Sequence, residues 1–189
     1  MDSPDAEKTD EEIARRVQQG DGEQFGVLVE RFEAKIARYA RKFLFDAEDS
    51  KDLVQEVFLK AYTNIQSFDA SRRFSPWLYR IAHNEFINAG KKRVRIPIFM
   101  FDFDLLFPHP AAKETADAET IRRDSREMLD RSLGKLDAKY REPLILYYFE
   151  EMDYQEIAEI LQIPVPTLGV RLKRGRAMMQ KILHETNGN

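Results

Sequence analysis

The chain has 189 residues, of which 43% are hydrophobic, so it is long enough for one or two small domains with modest helical cores. It contains no cysteine, which excludes disulfides, thiol catalysis and cysteine-ligated metal sites. The net charge of −3 excludes a uniformly basic nucleic-acid binder, yet Lys91, Lys92, Arg93 and Arg95 form a basic cluster far from the acidic N-terminus. Such a chain is suited to touching nucleic acid only when a larger partner holds it there.

Several function classes lack their sequence signals. The N-terminus is acidic without the apolar core of a signal peptide, and no run reaches the ~20 apolar residues of a membrane span. Neither a glycine-rich phosphate loop nor a nucleophile motif is present, and the three histidines are scattered. We therefore expect a cytoplasmic protein that does not insert into a membrane, needs no cofactor and is not an enzyme.

The N-terminal half predicts helices separated by turn signals. Thr9 and Glu12 have the spacing of a capping box, and Gly20 ends the short helix that they open. Asp21 and Gln24 have the same spacing and are predicted to cap the start of a long helix. Apolar residues then recur at three- and four-residue steps, namely Phe25, Leu28, Val29, Phe32, Ile36 and Tyr39.

Two further helices are predicted in this half. The pattern breaks near residues 45–50, and the next helix runs to about Ile65. Residues 67–73 are predicted to form a loop. Ser75 is then predicted to cap a helix that has Pro76 at its first position.

The middle of the chain, residues 96–118, is predicted to be an interdomain linker. It is aromatic, bounded by prolines and without helical period, and Ile96 to Phe103 is the single candidate strand. It is too apolar for an ordinary solvated linker, so it lies either on one of the two domains or on a partner. Asp102, Asp104 and His109 could mimic a metal cluster, but no regular scaffold fixes them there.

Helices return after the linker and end in a helix-turn-helix pattern. One helix is predicted to end near Leu136 and another to run from Asp137 through Phe149. Asp153 and Glu156 form a second capping-box pair. Pro164 ends that helix, since proline disfavours helical geometry in the residue before it.

The last helix is basic on its outer surface. Leu168 and Leu172 can face inward, and no acid occurs between Thr167 and Lys181. Such a surface suits a phosphate-lined groove. The alternative is an amphipathic terminal helix with a solvated cationic face.

Three sequence blocks together resemble the bacterial RNA polymerase sigma factors of the extracytoplasmic-function (ECF) group. They are DLVQEVFLKAY at residues 52–62, WLYRIAHN at 77–84 and YQEIAEIL at 154–161, followed by a turn and the basic helix. The blocks have the family's order and roughly its spacing, which is far more specific than a helix-turn-helix alone. The resemblance covers about residues 24–95 and 124–183.

The resemblance implies an all-α protein of two small helical domains joined by a flexible linker. Residues 9–95 would be sigma region 2 and residues 119–185 would be sigma region 4, which ends in the helix-turn-helix. The implied function is a transcription initiation factor that binds core RNA polymerase and directs it to promoters. The implied partners are core RNA polymerase, promoter DNA and an anti-sigma factor.

The resemblance also implies a polymerase-binding face on the helix that contains DLVQEVFLKAY. Residues at i, i+3 and i+4 share one helix face, and a solvated polar face is the default interpretation of that pattern. The implied docking set is Asp52, Gln55 and Glu56 on the surface, with Phe58 supporting them from the core.

The next helix is implied to bind the non-template strand of the minus-ten element and to help melt it. Aromatic, amide and cationic side chains suit single-stranded DNA, because bases stack, amides read base edges and cations hold phosphates. Trp77 is the exception, which we interpret mainly as core. The preceding loop, 68–73, would hold a flipped base. The implied contacts are Phe68, Arg73, Arg80, Asn84, Asn88, Lys91 and Lys92.

The basic helix is implied to read the minus-thirty-five element in the major groove. Here the chain departs from the family, because Gly169 stands where a long side chain commonly reaches a base. We therefore expect readout to shift to Lys173 and Arg174, while Thr167 and Arg171 hold phosphates. Two alternatives remain: a stand-alone helix-turn-helix regulator that binds duplex DNA as a dimer, and an inactive sigma-like decoy.

Overall fold

The computed structural model describes residues 8–44, 48–93 and 128–187, and the regular structure in these ranges is helical. The two domains predicted from the sequence are both present. The predicted linker with its candidate strand, and the possible metal ligands Asp102, Asp104 and His109, lie outside the described residues. The side chains of Lys91 and Lys92 also lie outside them, although the backbone there is helical.

The first domain is built around one long central helix, α2, which packs against each of the other three. Its four α-helices are α1 (Asp10–Gln18), α2 (Phe25–Leu44), α3 (Glu48–Thr63) and α4 (Phe74–Arg93). Two 3₁₀ turns, Gly22–Gln24 and Ile65–Ser67, connect them.

Of three helix starts predicted in the first domain, one is confirmed and two are wrong. Thr9 and Glu12 form the predicted capping box. The prediction for Asp21 is wrong, because its side chain makes no capping hydrogen bond and a 3₁₀ turn follows. The prediction for Ser75 is also wrong, because α4 already begins at Phe74. Glu11, more than 60 residues earlier, accepts the Phe74 N–H at 2.9 Å and replaces the local cap.

Aromatic rings fill the core of the first domain. Tyr39 and Phe86 lie 5.1 Å apart between ring centroids, and Phe32 and Phe74 lie 5.6 Å apart in an edge-on arrangement. Trp77 is buried with them, as predicted. Offset and edge-on aromatic pairs are favourable, and each ring removes a large apolar area from water.

The described part of the second domain contains four helices. The described part begins in α5, with residues 128–134 helical, and continues through α6 (Ala138–Tyr148), α7 (Tyr154–Leu161) and α8 (Val165–Asn187). Asp153 and Glu156 form the predicted capping box of α7. Gln162 ends α7 in the left-handed conformation, with φ of 52°. The predicted helix-turn-helix is therefore confirmed.

Close contact between α6 and α8 depends on one glycine. A Cβ atom on Gly175 would lie 3.1 Å from the Tyr140 carbonyl oxygen and 3.2 Å from Leu144 Cδ1. Side chains rarely tolerate contacts this short, so the small residue allows the two helices to approach. The sequence pattern alone marked this position only as part of a basic helix.

The two domains are in contact. Helix α4 of the first domain packs against α7 of the second, and α2 packs against α6. The helix-turn-helix therefore lies beside the end of the loop that precedes α4.

Candidate polymerase and nucleic-acid interfaces

Helix α3 presents a polar face with an apolar residue on it. Asp52 and Gln55 are exposed and Glu56 is half-buried, while Phe58 is buried beneath them. Leu59, on the same face, is 58% exposed. The face therefore carries carboxylate, amide and apolar side chains that are accessible from outside the domain.

An ion-pair network fixes the end of this face to α4. The Lys60 ammonium lies 2.7 Å from Glu85 and 3.6 Å from Glu56. The hydrogen bond to Glu85 raises the pKa of Lys60. Glu56 is therefore engaged with Lys60. Asp52 and Gln55 are exposed on the same helix.

A shallow cleft lies between the end of α3 and the middle of α4. Arg80 and Asn84 line one side of it, and Asn64 and Ser67 line the other. Its volume is about 270 Å³. The structure thus brings together two of the predicted minus-ten residues with two polar residues that the sequence pattern did not single out. Asn88 is exposed one helical turn beyond Asn84.

The predicted direct contact of Phe68 with DNA needs correction. Its side chain is only 5% exposed and packs against Phe74 and Trp77, with ring centroids 5.3 Å apart in both cases. A ring enclosed in this way supports the loop from below and cannot stack on a base. Periodicity could not show this, because Phe68 lies outside the regular helices.

The Arg73 side chain is exposed, yet it forms an ion pair with the second domain. Its guanidinium, 69% exposed, lies 2.5 Å from the Glu156 carboxylate in the first helix of the helix-turn-helix. The neighbouring Arg72 lies 2.7 Å from Glu159 on the same helix. Both arginines of this loop therefore pair with the second domain.

Helix α8 separates its buried and exposed residues as the sequence predicted. Leu168 and Leu172 are buried. Thr167, Lys173 and Arg174 are exposed, and Arg171 is half-buried. The four predicted minus-thirty-five residues thus lie at or near one accessible surface of the helix.

Val170 is a surface residue on α8 that the sequence interpretation missed. It is 50% exposed, although valine is ordinarily buried. Gly169 beside it is half-buried, and a Cβ atom there would meet nothing within 4 Å. The signal was present in the sequence, because Val170 lies four residues before Arg174 and three after Thr167, on the outward side of the helix.

Two buried carboxylates connect the domains. Glu142 on α6 is 4% exposed, accepts a hydrogen bond from the Tyr39 hydroxyl and lies 2.5 Å from His83 Nδ1. Burial, followed by the charge of Glu142, raises the pKa of Tyr39 well above its ordinary value. Tyr39 therefore stays protonated and donates.

The second carboxylate, Glu150, follows α6. Its side chain is 1% exposed and accepts two hydrogen bonds from Arg38, each of 2.8 Å, and one of 2.6 Å from the Tyr79 hydroxyl. The hydrogen bond to Glu150 raises the pKa of Arg38, and burial raises that of Tyr79. Such bidentate arginine–carboxylate pairs are strong and directional.

Comparison with known proteins identifies both domains. Residues 28–96 match the family described as Sigma-70 region 2, and residues 126–179 match Sigma-70, region 4. The ECF RNA polymerase sigma factor SigW of Bacillus subtilis strain 168 is 32% identical over 179 residues, which cover 90% of this chain and 95% of the relative. The chain belongs to the ECF sigma factors. It is a transcription initiation factor that directs RNA polymerase to promoters.

Two solved structures have the same fold as this sigma factor. CnrH, in complex with the cytosolic domain of CnrY, is 28% identical with a TM-score of 0.69, and the match covers 94% of this chain and 99% of CnrH. The sigma factor RpoE of Bartonella quintana, in complex with the anti-sigma factor NepR, is 24% identical with a TM-score of 0.68 and covers 84% of this chain and 96% of that one. The second likeness shows the fold alone.

Within residues 8–44, 48–93 and 128–187, no three histidine, aspartate or glutamate side chains are grouped to hold a metal ion. In the part of the chain that the structure describes, no helix is both long and apolar enough to cross a membrane.

The burial of Phe68 predicts a stability defect. Phe68→Ala should lower the free energy of unfolding by about 3–5 kcal/mol, because it removes a buried ring and leaves a cavity. Asn84→Ala, at an exposed site of the same domain, should change it by no more than about 0.5 kcal/mol. Chemical denaturation followed by circular dichroism measures both. An unchanged unfolding midpoint in Phe68→Ala would show that the ring is not structural.

Proposed function

We propose that this sigma factor docks on core RNA polymerase through the exposed face of α3, holds the minus-ten single strand on α4 and reads the minus-thirty-five element with α8. One observation carries the proposal. In each of the two family-matched regions, the polar and charged side chains that such partners require are exposed or half-buried, and one exposed apolar residue, Leu59 on α3 and Val170 on α8, lies among them. The sigma factor itself has no catalytic role, since polymerase supplies the chemistry, and it works in the cytoplasm.

The docking face pairs charge with an apolar contact. Asp52 and Glu56 meet basic side chains of polymerase, Gln55 adds hydrogen bonds, and Leu59 is covered on binding. Phe58 holds the helix in place from the core. Charges at the edge of an interface set orientation and rate, and an apolar residue at its centre contributes affinity.

The cleft on α4 receives the single strand. Arg80 holds phosphate while Asn84 and Asn88 read base edges, which become accessible only on unstacking. The loop that ends in Arg73 closes over a flipped base, with the Phe68 ring as its support. Lys91 and Lys92 are proposed to add phosphate contacts.

In the major groove, α8 combines cations with one apolar contact. Lys173 and Arg174 face base edges, whereas Thr167 and Arg171 hold the backbone. Val170 faces the only apolar group on a base edge in that groove, the C5-methyl of thymine.

An anti-sigma factor is the proposed inhibitory partner. The support is that the sigma factor RpoE of Bartonella quintana, which has this fold, is in complex with the anti-sigma factor NepR. CnrH is likewise in complex with the cytosolic domain of CnrY.

The decisive experiment is promoter-specific transcription by purified core polymerase with and without this protein. A defined start site that depends on the protein supports the proposal. Tight binding to duplex DNA as a dimer, without polymerase, would favour a stand-alone regulator instead. Binding to core polymerase without initiation at any genomic promoter would favour an inactive decoy.

Charge reversal on α3 tests the docking face. The double variant Asp52→Lys, Glu56→Lys should weaken binding to core polymerase by about 2–5 kcal/mol, because two attractive contacts become repulsive. The matched control Glu30→Lys, Glu33→Lys reverses two exposed charges on α2. Titration with fluorescent core polymerase measures all three proteins. Equal affinities for the variant and the control would refute this face.

Amide removal on α4 tests promoter melting. Asn84→Ala and Asn88→Ala should reduce open complexes more than closed complexes, because the amides meet bases only after unpairing. Permanganate reactivity of unpaired thymines reports open complexes, and Gln19→Ala on the exposed end of α1 is the control. Wild-type permanganate signals in both variants would show that these amides do not touch the strand.

Three single substitutions on α8 separate the types of contact. Arg174→Ala should reduce the discrimination between bases at one base-pair position by about 1–3 kcal/mol. Arg171→Ala should weaken all sequences alike and lower the salt slope by about one. Val170→Ser should weaken thymine preference by about 0.8 kcal/mol, roughly fourfold, since about one methyl contact is lost.

Selection of holoenzyme-bound promoters from a pool with a randomised minus-thirty-five element measures all three α8 variants. Lys181→Ala, at an exposed site near the helix end, serves as the control. A sharp motif that survives Arg174→Ala and Lys173→Ala would show that other side chains read the element.

A further inference from the structure

Helix α1 holds the start of the loop 68–73 through one side-chain amide. The Gln18 Nε2 atom donates two hydrogen bonds, of 2.8 Å to the Ile65 carbonyl oxygen and of 2.7 Å to the Phe68 carbonyl oxygen. In return, the Gln66 amide donates to the Gln18 carbonyl oxygen at 3.0 Å. A side-chain amide has two N–H groups, so both donors of Gln18 are used on the backbone that leads into the loop.

The same helix contacts the middle and the end of the loop. Arg15, about one turn before Gln18, donates to the Ala70 carbonyl oxygen at 3.3 Å. Glu11, about two turns before Gln18, accepts the Phe74 N–H at 2.9 Å. Residues separated by four and then three positions share one face of a helix. Helix α1 therefore presents one polar edge that follows the loop from its beginning to its end.

The turn inside the loop has hydrogen bonds of its own. The Asp69 carboxylate accepts the Ser71 N–H at 2.9 Å and the Ser71 hydroxyl at 2.7 Å. The Arg72 N–H donates to the Asp69 carbonyl oxygen at 2.9 Å. Side chains of aspartate commonly stabilise a turn in this way. The turn is thus held as a unit, and the contacts with α1 determine where this unit stands relative to α4.

The contacts of α1 with the loop lie within the first domain. Glu11, Arg15 and Gln18 precede residues 28–96, which match Sigma-70 region 2. The loop arginines pair with the second domain through their side chains, whereas α1 holds the loop backbone. The position of this backbone is therefore fixed from inside the domain that carries the proposed minus-ten contacts.

Two of the three α1 side chains hold the loop best. Glu11 and Gln18 are half-buried, so water competes less for their hydrogen bonds than for those of Arg15, which is exposed. Burial of the Phe68 ring fixes one point of the loop. The Gln18 amide fixes the direction in which the chain leaves that point, and the Glu11 carboxylate fixes where the chain enters α4.

We propose that Glu11 and Gln18 are positioning residues for minus-ten recognition, because they hold the loop 68–73 in the conformation that selects the flipped base. The proposal rests on the proposed role of this loop. A preformed loop is not ordered at the expense of binding, and it cannot shift its backbone to accommodate a base of the wrong shape. The two residues thus set base selection without touching DNA.

Removal of the two Gln18 donors is the first test. Gln18→Met keeps the length of the side chain and leaves the buried residues of α1, Ile13, Ala14 and Val17, unchanged. Holoenzyme containing each variant selects promoters from a pool with a randomised minus-ten element. Discrimination at one position, the one occupied by the flipped base, should fall about tenfold because the selective loop conformation is less populated.

The positions assigned to Asn84 and Asn88 should keep their preferences, since neither residue lies on the loop. The matched control is Gln19→Met, which makes the same change at the next, exposed residue and should retain every preference. A general folding defect lowers the amount of active holoenzyme and leaves the ratios between bases unaltered. Unchanged ratios in Gln18→Met, or an equal loss at all minus-ten positions, would overturn the proposal.

A pair of substitutions at Glu11 is the second test, and it stands even if Gln18→Met folds poorly. Glu11→Gln keeps a carbonyl oxygen that can accept the Phe74 N–H, whereas Glu11→Leu does not. Glu11→Gln should retain the wild-type preference in the same selection, and Glu11→Leu should lose it at the position that Gln18→Met affects. Equal behaviour of the two Glu11 variants contradicts a positioning role for this hydrogen bond.

The selections also separate the positioning role from the proposed function. Absence of any minus-ten preference in wild-type holoenzyme would refute the proposed function. A normal preference in the wild type that both Gln18→Met and Glu11→Leu retain would refute the positioning role alone.

Discussion

Two carboxylates, Glu142 and Glu150, are removed from water where the two domains meet. A buried carboxylate is costly unless hydrogen bonds and opposite charge compensate it, and removal of one partner of such a group is strongly destabilising. The compensating donors, Tyr39, Arg38 and Tyr79, all belong to the other domain. The relative position of the domains therefore depends on these hydrogen bonds, in addition to the buried apolar residues that run from the first domain into the second.

The contact between the domains leaves one proposed binding surface exposed and engages a residue of another. The polar face of α3, with Asp52 and Leu59, is exposed while the two domains are in contact. Arg73, by contrast, is paired with Glu156. The proposed polymerase face is thus exposed in this arrangement, whereas an arginine proposed to contact DNA is paired with the other domain.

Helix α8, which we propose reads DNA, contains two glycines in different surroundings. Gly169 leaves open space on α8, and Val170 next to it is an exposed apolar residue between cations. The neighbouring Gly175 has the opposite role, since its lack of a side chain lets α8 approach the Tyr140 carbonyl. Two glycines six residues apart thus serve different purposes, one at the surface and one in the core.

The sequence by itself determined the helices, the two domains, both capping boxes, the helix-turn-helix and the family, because these follow from spacing and local hydrogen bonding. It could not place Phe68 in the core, because that burial depends on packing against Trp77 across a loop. It could not start α4 at Phe74, because that start depends on Glu11 in a different helix. Nor could it find the contact between the domains, since Glu142 and Glu150 resemble ordinary surface acids in the sequence. Only the tertiary structure buries them, by bringing α2 and α4 against residues about 60 to 110 positions away.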